Sequence, residues 1–301
     1  MEPQELKQRL RGVIAFAPTP FTKDDRVDYN GLASQIDYLC RHGADVVVAC
    51  GGVAEFYALE LDEYRQCISI AAEAAGGRVP LLAGIGHTTK IACQLAEHAA
   101  KVGVDGLMIN PLYFVEALEA GLHRHYSELA KAAGLGMMMF STKGAVYSPA
   151  MVERLVDIDE VVALKDEWGD LRLFIETKER LGDRLAWVNG MAEVMAAPYF
   201  AAGAAAFTSG IVNIAPSLVR SVWDAGAAGD WDCLNELIAT KIRPVARLRQ
   251  RAPGHHITVI KEAMNLLGMP GGEVRAPLLP LNDVDRADLR QALVDLQLLE
   301  A

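Results

Sequence analysis

Val161-Val162-Ala163-Leu164-Lys165-Asp166 runs straight into Glu167-Trp168-Gly169-Asp170. Consecutive apolar residues, then a turn and a helical pattern, read as a parallel strand buried on both faces. A lysine at the end of such a strand needs a physical reason, because its ammonium is costly to desolvate. Either it is paired with Asp166 or Glu167, or its pKa is lowered and it serves as an amine nucleophile. Where this strand end falls on the fold decides between the two.

Outward from this segment the same alternation repeats in both directions. Gly12 to Pro18, Asp45 to Cys50, Pro80 to Gly86, Gly106 to Asn110 and Gly136 to Ser141 read as strands before it, and Leu185 to Asn189 and Ala205 to Ser209 as strands after it. Helical patterns separate them: Leu32, Ile36 and Leu39 share one face, and Leu118, Leu122, Tyr126 and Leu129 another. Further helices are predicted over Tyr64 to Ala75, Thr89 to Val102, Pro149 to Val156, Leu171 to Leu181, Ala192 to Ala202 and Pro216 to Ala225. Eight strand-helix units match the number that closes a (β/α)₈ TIM barrel, with an open doubly wound sheet as the alternative. Gly84-Ile-Gly86 supplies only part of a dinucleotide fingerprint and reads as a tight turn. The barrel, catalytic, is expected over residues 1–228, followed by a C-terminal three-helix extension over 229–301, with helices at Trp231 to Arg249, Thr258 to Leu267 and Arg286 to Leu299.

A net charge of −10 and the lack of a basic stripe argue against nucleic acid as a partner. Met1 to Arg11 lacks the apolar core of a signal peptide, and no apolar run has the length of a membrane span, so a cytoplasmic protein without membrane contact is expected. The five cysteines are dispersed and read as ordinary thiols. No spacing suggests a metal or a cofactor. His123 and His125 point to different sides of a helix, His255-His256 read as surface histidines in a loop, and Met137-Met138-Met139 as filler of the barrel wall.

In a TIM barrel the active site lies at the C-terminal strand ends, which here carry Thr19, Gly51-Gly52-Val53, His87, Asn110 with Tyr113, Phe140-Ser141-Thr142-Lys143, Lys165, Asn189-Gly190 and Thr208-Ser209. That placement weighs toward Schiff-base chemistry at Lys165. A largely apolar mouth would supply the free amine such chemistry needs.

Gly51-Gly52-x-x-Glu55-Phe56, Pro80-Leu-Leu-Ala-Gly84, Gly103-x-Asp105-Gly106, Leu164-Lys165-Asp166-x-x-Gly169-Asp170 and Ile257-Thr-Val-Ile-Lys261 occur in this order over nearly the whole chain. In these motifs the chain resembles the dihydrodipicolinate synthase / N-acetylneuraminate lyase superfamily, most closely its 5-dehydro-4-deoxyglucarate dehydratase branch. The resemblance implies a homo-oligomer, tetramer or dimer, and an imine between Lys165 and a small-molecule 2-oxo acid. It also implies that the backbone amides of Gly52 and Val53 hold the substrate carboxylate, and that Tyr113 is given to a neighbouring subunit's site. The substrate pocket is then expected from Gly51, Gly52, Val53, Phe140, Asn189, Gly190, Thr208 and Ser209, with Lys165, Tyr113 and His87 as the catalytic side chains.

Two departures from the family pattern stand out. A tyrosine that relays protons is replaced by Phe140, and the threonine that orients it by Val53. Phenylalanine has no hydroxyl to act as acid or base. The arginine that binds the aldehyde co-substrate in dihydrodipicolinate synthases is also missing near Ala145, which argues against lysine biosynthesis. Three accounts stay open: His87, Tyr147 or Lys143 replaces the hydroxyl; a water relays the proton; or the protein is a non-catalytic 2-oxo-acid-binding paralogue. Among catalytic readings, dehydration or decarboxylation of a keto-deoxy sugar acid stands beside a retro-aldol or aldol reaction using pyruvate.

Overall fold

A computed structural model describes residues 1–300 apart from 113, 114 and 116. Helix α1 (Pro3–Arg9) precedes β1 (Gly12–Phe16); then follow β2 (Val46–Ala49), β3 (Leu81–Ile85), β4 (Gly106–Ile109), β5 (Gly136–Ser141), β6 (Val161–Asp166), β7 (Ala186–Asn189) and β8 (Ala206–Ser209). The intervening and following helices are α2 (Tyr29–Arg41), α3 (Leu61–Ala75), α4 (Thr89–Lys101), α5 (Glu119–Ala133), α6 (Pro149–Leu155), α7 (Leu171–Leu181), α8 (Ala196–Ala201) and α9 (Pro216–Ala228). Every strand pairs in parallel with the next, and β8 pairs with β1. The ladder closes on itself, so the fold is a TIM barrel and the open sheet is excluded.

Strand alternation sorts the core into two shells. Ile14, Phe16, Val46, Val48, Met108, Met138 and Val188 fill the barrel, joined from below by Leu6 and Leu10 at α1. Val13, Val47, Met137, Met139, Leu164 and Phe207 pack outward in the cluster that includes the surrounding helices. The plug explains a glycine: a Cβ on Gly106 would lie 2.3 Å from Leu6 Cδ2.

Several helical expectations change in detail. Leu118 is not on the buried face of α5; it is the exposed N-cap residue, preceding the turn where packing begins. The helix expected over Ala192 to Ala202 shortens to α8 because Pro198 cannot donate to the preceding turn, and a 3₁₀ turn (Glu193–Met195) takes its place. The tail begins with α10 (Trp231–Leu237), passes through a π turn (Ile238–Ile242) and continues as α11 (Arg243–Gln250). Pro244 removes a helical N–H there, and the widened turn accommodates the loss.

Helices α12 (His255–Leu266) and α13 (Asp283–Asp295) complete the C-terminal extension. Both start earlier than the apolar spacing suggests. Asn282 caps α13 by accepting from Asp285 N at 2.9 Å, and α12 begins directly after Gly254, which has a positive φ.

One buried ion pair fastens this tail to the barrel. Lys261 of α12 donates to Glu55 Oε1 at 2.6 Å and to Thr19 O at 2.9 Å, lies over the Phe21 ring, and also bonds Glu273 O. The second Glu55 oxygen accepts from Arg275 N at 2.9 Å. Lys261 and Glu55 are essentially without solvent exposure, so removing one partner strands the other. Lys261→Met is therefore expected to lower unfolding stability by roughly 3–5 kcal/mol in urea titration, with part regained in Lys261→Met/Glu55→Gln. A loss below about 1 kcal/mol would contradict this account.

Candidate active site

Inside β6, Ala163 faces the barrel interior and Leu164 the helices, so alternation turns Lys165 inward at the strand's C-terminal end. Phe140 is its register partner on β5. The Lys165 ammonium lies 3.5 Å from the centroid of the Phe140 ring and 4.8 Å from that of Phe16. Its hydrogen bond goes to Glu167 Oε2 at 2.8 Å. The side chain is only 5% exposed, whereas Glu167 is 41% exposed. Burial pulls the Lys165 pKa below the ordinary lysine value, and the Glu167 charge and hydrogen bond oppose that shift without cancelling it.

Both sequence readings of Lys165 thus coexist in one geometry: a salt-bridged amine that is also easier to deprotonate than a free one. Asp166 is not the partner. It turns to the opposite side, accepts from the Tyr199 hydroxyl and from Trp168 N, and helps shape the turn after the strand. The Glu167 backbone is itself fixed, its N–H donating to Ser141 O at the end of β5.

Lys165 opens into a chamber of about 500 Å³. Of the expected pocket residues, Gly52, Val53, Phe140, Gly190, Thr208 and Ser209 line it. Gly51 instead packs behind, where a Cβ would sit 2.9 Å from the Phe16 ring. The Asn189 side chain is spent on its own loop, donating to Ala192 O and accepting from Met191 N. The Gly52–Ala54 3₁₀ turn starts at the chamber wall, with Ala54 N making its first internal bond to Gly51 O. The preceding N–H groups are those that such a turn leaves without an internal acceptor.

The expected substitutes for the tyrosine hydroxyl are not brought to the amine. His87 is not among the chamber residues; its ring packs on Phe56 at 4.9 Å, on a positive-φ turn after β3. Tyr147 is buried against Tyr126, hydroxyl to hydroxyl at 3.1 Å, and Lys143 is exposed on its loop. Tyr113 lies outside the described residues.

Four further polar residues line the chamber that strand-end reading did not reach: Glu193, Arg249, Gln250 and His256. Glu193 is buried, accepts from Ser209 Oγ, and has a pKa raised by desolvation against the opposing pull of Ser209 and Arg249. Arg249 comes from α11, its Nε donating to His256 O at 3.3 Å. Its Nη2 lies where a Cβ on Gly210 would approach to 2.9 Å, so the guanidinium rests directly on the β8 loop. His256 is exposed, as expected of a surface histidine, but it stands in the first turn of α12 rather than in the loop and lines the chamber, with a pKa lowered by desolvation and by Arg249. Among the described residues no group of three or more His, Cys, Asp or Glu is arranged to hold a metal ion, and no helix is long and apolar enough to cross a membrane.

A parallel barrel carrying a desolvated lysine at the end of its sixth strand, covered by a C-terminal helical extension, defines the structural class. The chain belongs to the dihydrodipicolinate synthetase family, whose model matches residues 9–296. It is 33% identical over 285 residues to a protein of Azotobacter vinelandii named "Probable 5-dehydro-4-deoxyglucarate dehydratase", covering 93% of this chain and 94% of that one. A protein of the same name from Pseudomonas savastanoi pv. phaseolicola is 32% identical over 301 residues, covering 99% of each. The structure of dihydrodipicolinate synthase from Oceanobacillus iheyensis superposes with a TM-score of 0.93 at 27% identity, covering 98% of this chain and 99% of that one.

The environment of Lys165 has a measurable consequence. In competitive acetylation with acetic anhydride across a pH series, followed by peptide mass analysis, the Lys165 amine is expected to titrate below the ordinary lysine value. Titration at or above that value would contradict the geometry.

Proposed function

We propose that the protein is a class I lyase that forms an imine between Lys165 and a 2-oxo acid and eliminates water from a keto-deoxy sugar acid. The observation that carries this reading is the desolvated Lys165 amine, held at the chamber floor by one carboxylate and two aromatic rings. The relatives' printed name points to the substrate class, a deoxy keto derivative of glucarate. Glucarate has a carboxylate at each end, and the chamber offers a counterpart for each. The free amides at the start of the Gly52–Ala54 turn suit the carboxylate beside the ketone, and the Arg249 guanidinium suits the distal one.

The protonated imine would act as the electron sink. Withdrawal from C2 acidifies the C3 proton, and the resulting enamine expels a hydroxyl from C4. Retro-aldol cleavage would use the same imine on a different substrate, and a binding-only paralogue would keep the chamber without turnover. Phe140 is the observation that favours the latter. A homo-oligomer and a cytoplasmic setting belong to this same proposal.

Incubated with 5-dehydro-4-deoxyglucarate, the wild-type protein is expected to release a product one water lighter or further decarboxylated, read by mass spectrometry. Lys165→Ala should abolish this with an unchanged melting temperature; retained turnover would overturn the reading. Arg249→Leu is expected to raise KM by about 10–100-fold, the loss of a charge-assisted contact of about 1.5–3 kcal/mol. It should leave imine formation with pyruvate, which lacks the distal carboxylate, within about threefold.

A further inference from the structure

We propose that Glu167 is the acid-base group of the reaction, doing from the loop after β6 the proton transfers that a tyrosine hydroxyl at position 140 would do from β5. The inference rests on the imine reading above and adds the group that moves the protons.

Three observations meet at one point. Phe140 presents a bare ring to the Lys165 ammonium, so the register partner of the lysine carries no transferable proton. Among the described residues, Glu167 is the side chain within hydrogen-bond distance of Nζ, at 2.8 Å. The Glu167 carboxylate also lines the chamber and remains partly open to solvent, so it can both touch a bound substrate and exchange its proton. Its backbone bond to Ser141 O holds it beside the Phe140 end of β5.

The competing groups in the chamber are otherwise engaged or chemically unsuited. The Glu193 carboxylate accepts from Ser209 Oγ, and the Thr208 hydroxyl donates to Gly190 O at 3.2 Å. Threonine hydroxyls do not titrate in the working range, whereas a carboxylate does. His256 stands with its backbone on Arg249, in the part of the chamber built by the tail.

The steps balance with this one group. The Lys165 ammonium gives a proton to Glu167, leaving an amine and a carboxylic acid. The amine attacks C2, the C–N bond forms, and the carbonyl electron pair moves to oxygen, which takes the proton back from Glu167. The carboxylate then accepts a proton from the quaternised nitrogen and returns it to the C2 hydroxyl, which leaves as water to give the protonated imine. Glu167, again a carboxylate, removes the C3 proton as the C3–H electron pair moves into the enamine. Finally the nitrogen lone pair re-forms the C2=N imine, the C2=C3 pair shifts to make C3=C4, the C4–O bond breaks with its electron pair on oxygen, and the Glu167 proton goes to the departing hydroxyl. C3 lies two bonds from Nζ once the imine has formed, so one carboxylate beside Nζ serves both atoms.

The test separates relay from counter-ion. Pyruvate with borohydride reports the imine by intact mass, and loss of the pyruvate methyl proton signal in D₂O reports C3 deprotonation. If Glu167 only neutralises the ammonium, Glu167→Gln leaves the amine more easily deprotonated and both readouts within about threefold of wild type. If it is the relay, Glu167→Gln loses about 10²–10⁴-fold in C3 exchange while adduct still accumulates on Lys165 over longer incubation. Restoring the hydroxyl in Glu167→Gln/Phe140→Tyr should then recover at least tenfold of the exchange, an outcome that a purely structural role for Glu167 would not give. Exchange in Glu167→Gln within threefold of wild type would overturn the proposal while leaving the imine standing. Absence of any adduct in the wild-type protein would overturn both together.

Discussion

The site depends on a buried ion pair that does no chemistry. Glu55 and Lys261 are more than 200 residues apart in sequence and meet with almost no solvent access. Taking two such charges out of water is expensive, and their attraction offsets the cost only because each finds further partners: Thr19 O and Glu273 O for the ammonium, Arg275 N for the carboxylate. The result is positional. Glu55 sits in the left-handed region of backbone space, directly after the Gly52–Ala54 turn that forms one wall of the chamber. Lys261 sits on the helix that starts with His255 and His256. Holding the two together ties the Gly52–Ala54 wall to the tail helix, two of the elements that line the chamber into which Lys165 opens.

Against that frame, Lys165 is a compromise between desolvation and pairing. Aromatic rings on two sides remove water and favour the neutral amine, while the Glu167 contact favours the ammonium. Desolvation wins in direction. Each unit by which a lysine pKa falls raises the free amine at neutral pH about tenfold, which is the quantity a nucleophile needs. A fully buried carboxylate beside the amine would hold the proton on it and forfeit that gain, and a wholly unpaired ammonium would cost the fold more than it returns. Glu167, half in the chamber and half in solvent, lies between these limits.

The fold was legible because parallel barrel strands are buried on both faces and their apolar runs are bounded by turns, as Val161 to Leu164 shows. The strand-end rule then brought Lys165, Gly52, Val53, Phe140, Gly190, Thr208 and Ser209 into one chamber. It failed where a strand end is followed by a turn that redirects its side chain, as with His87 on its positive-φ turn and Asn189 bound to its own loop. It could not reach Arg249 or His256, since helical periodicity reports which face is buried and says nothing of which distant loop it meets. The residues through which tail and mouth meet nevertheless lie in two of the quoted motifs, which carry Glu55 and Lys261. In the sequence Glu167 reads only as a counter-ion; its second capacity follows from the Phe140 ring lying against the amine.

The central claim is that the Lys165 amine is a nucleophile toward a 2-oxo acid. The most direct measurement is borohydride reduction with pyruvate and a panel of 2-oxo sugar acids, read by intact mass and peptide mapping. The account predicts a single covalent adduct, mapped to Lys165 and absent without borohydride. A folded protein that gives no adduct with any of these acids, or gives one at another lysine, would contradict it.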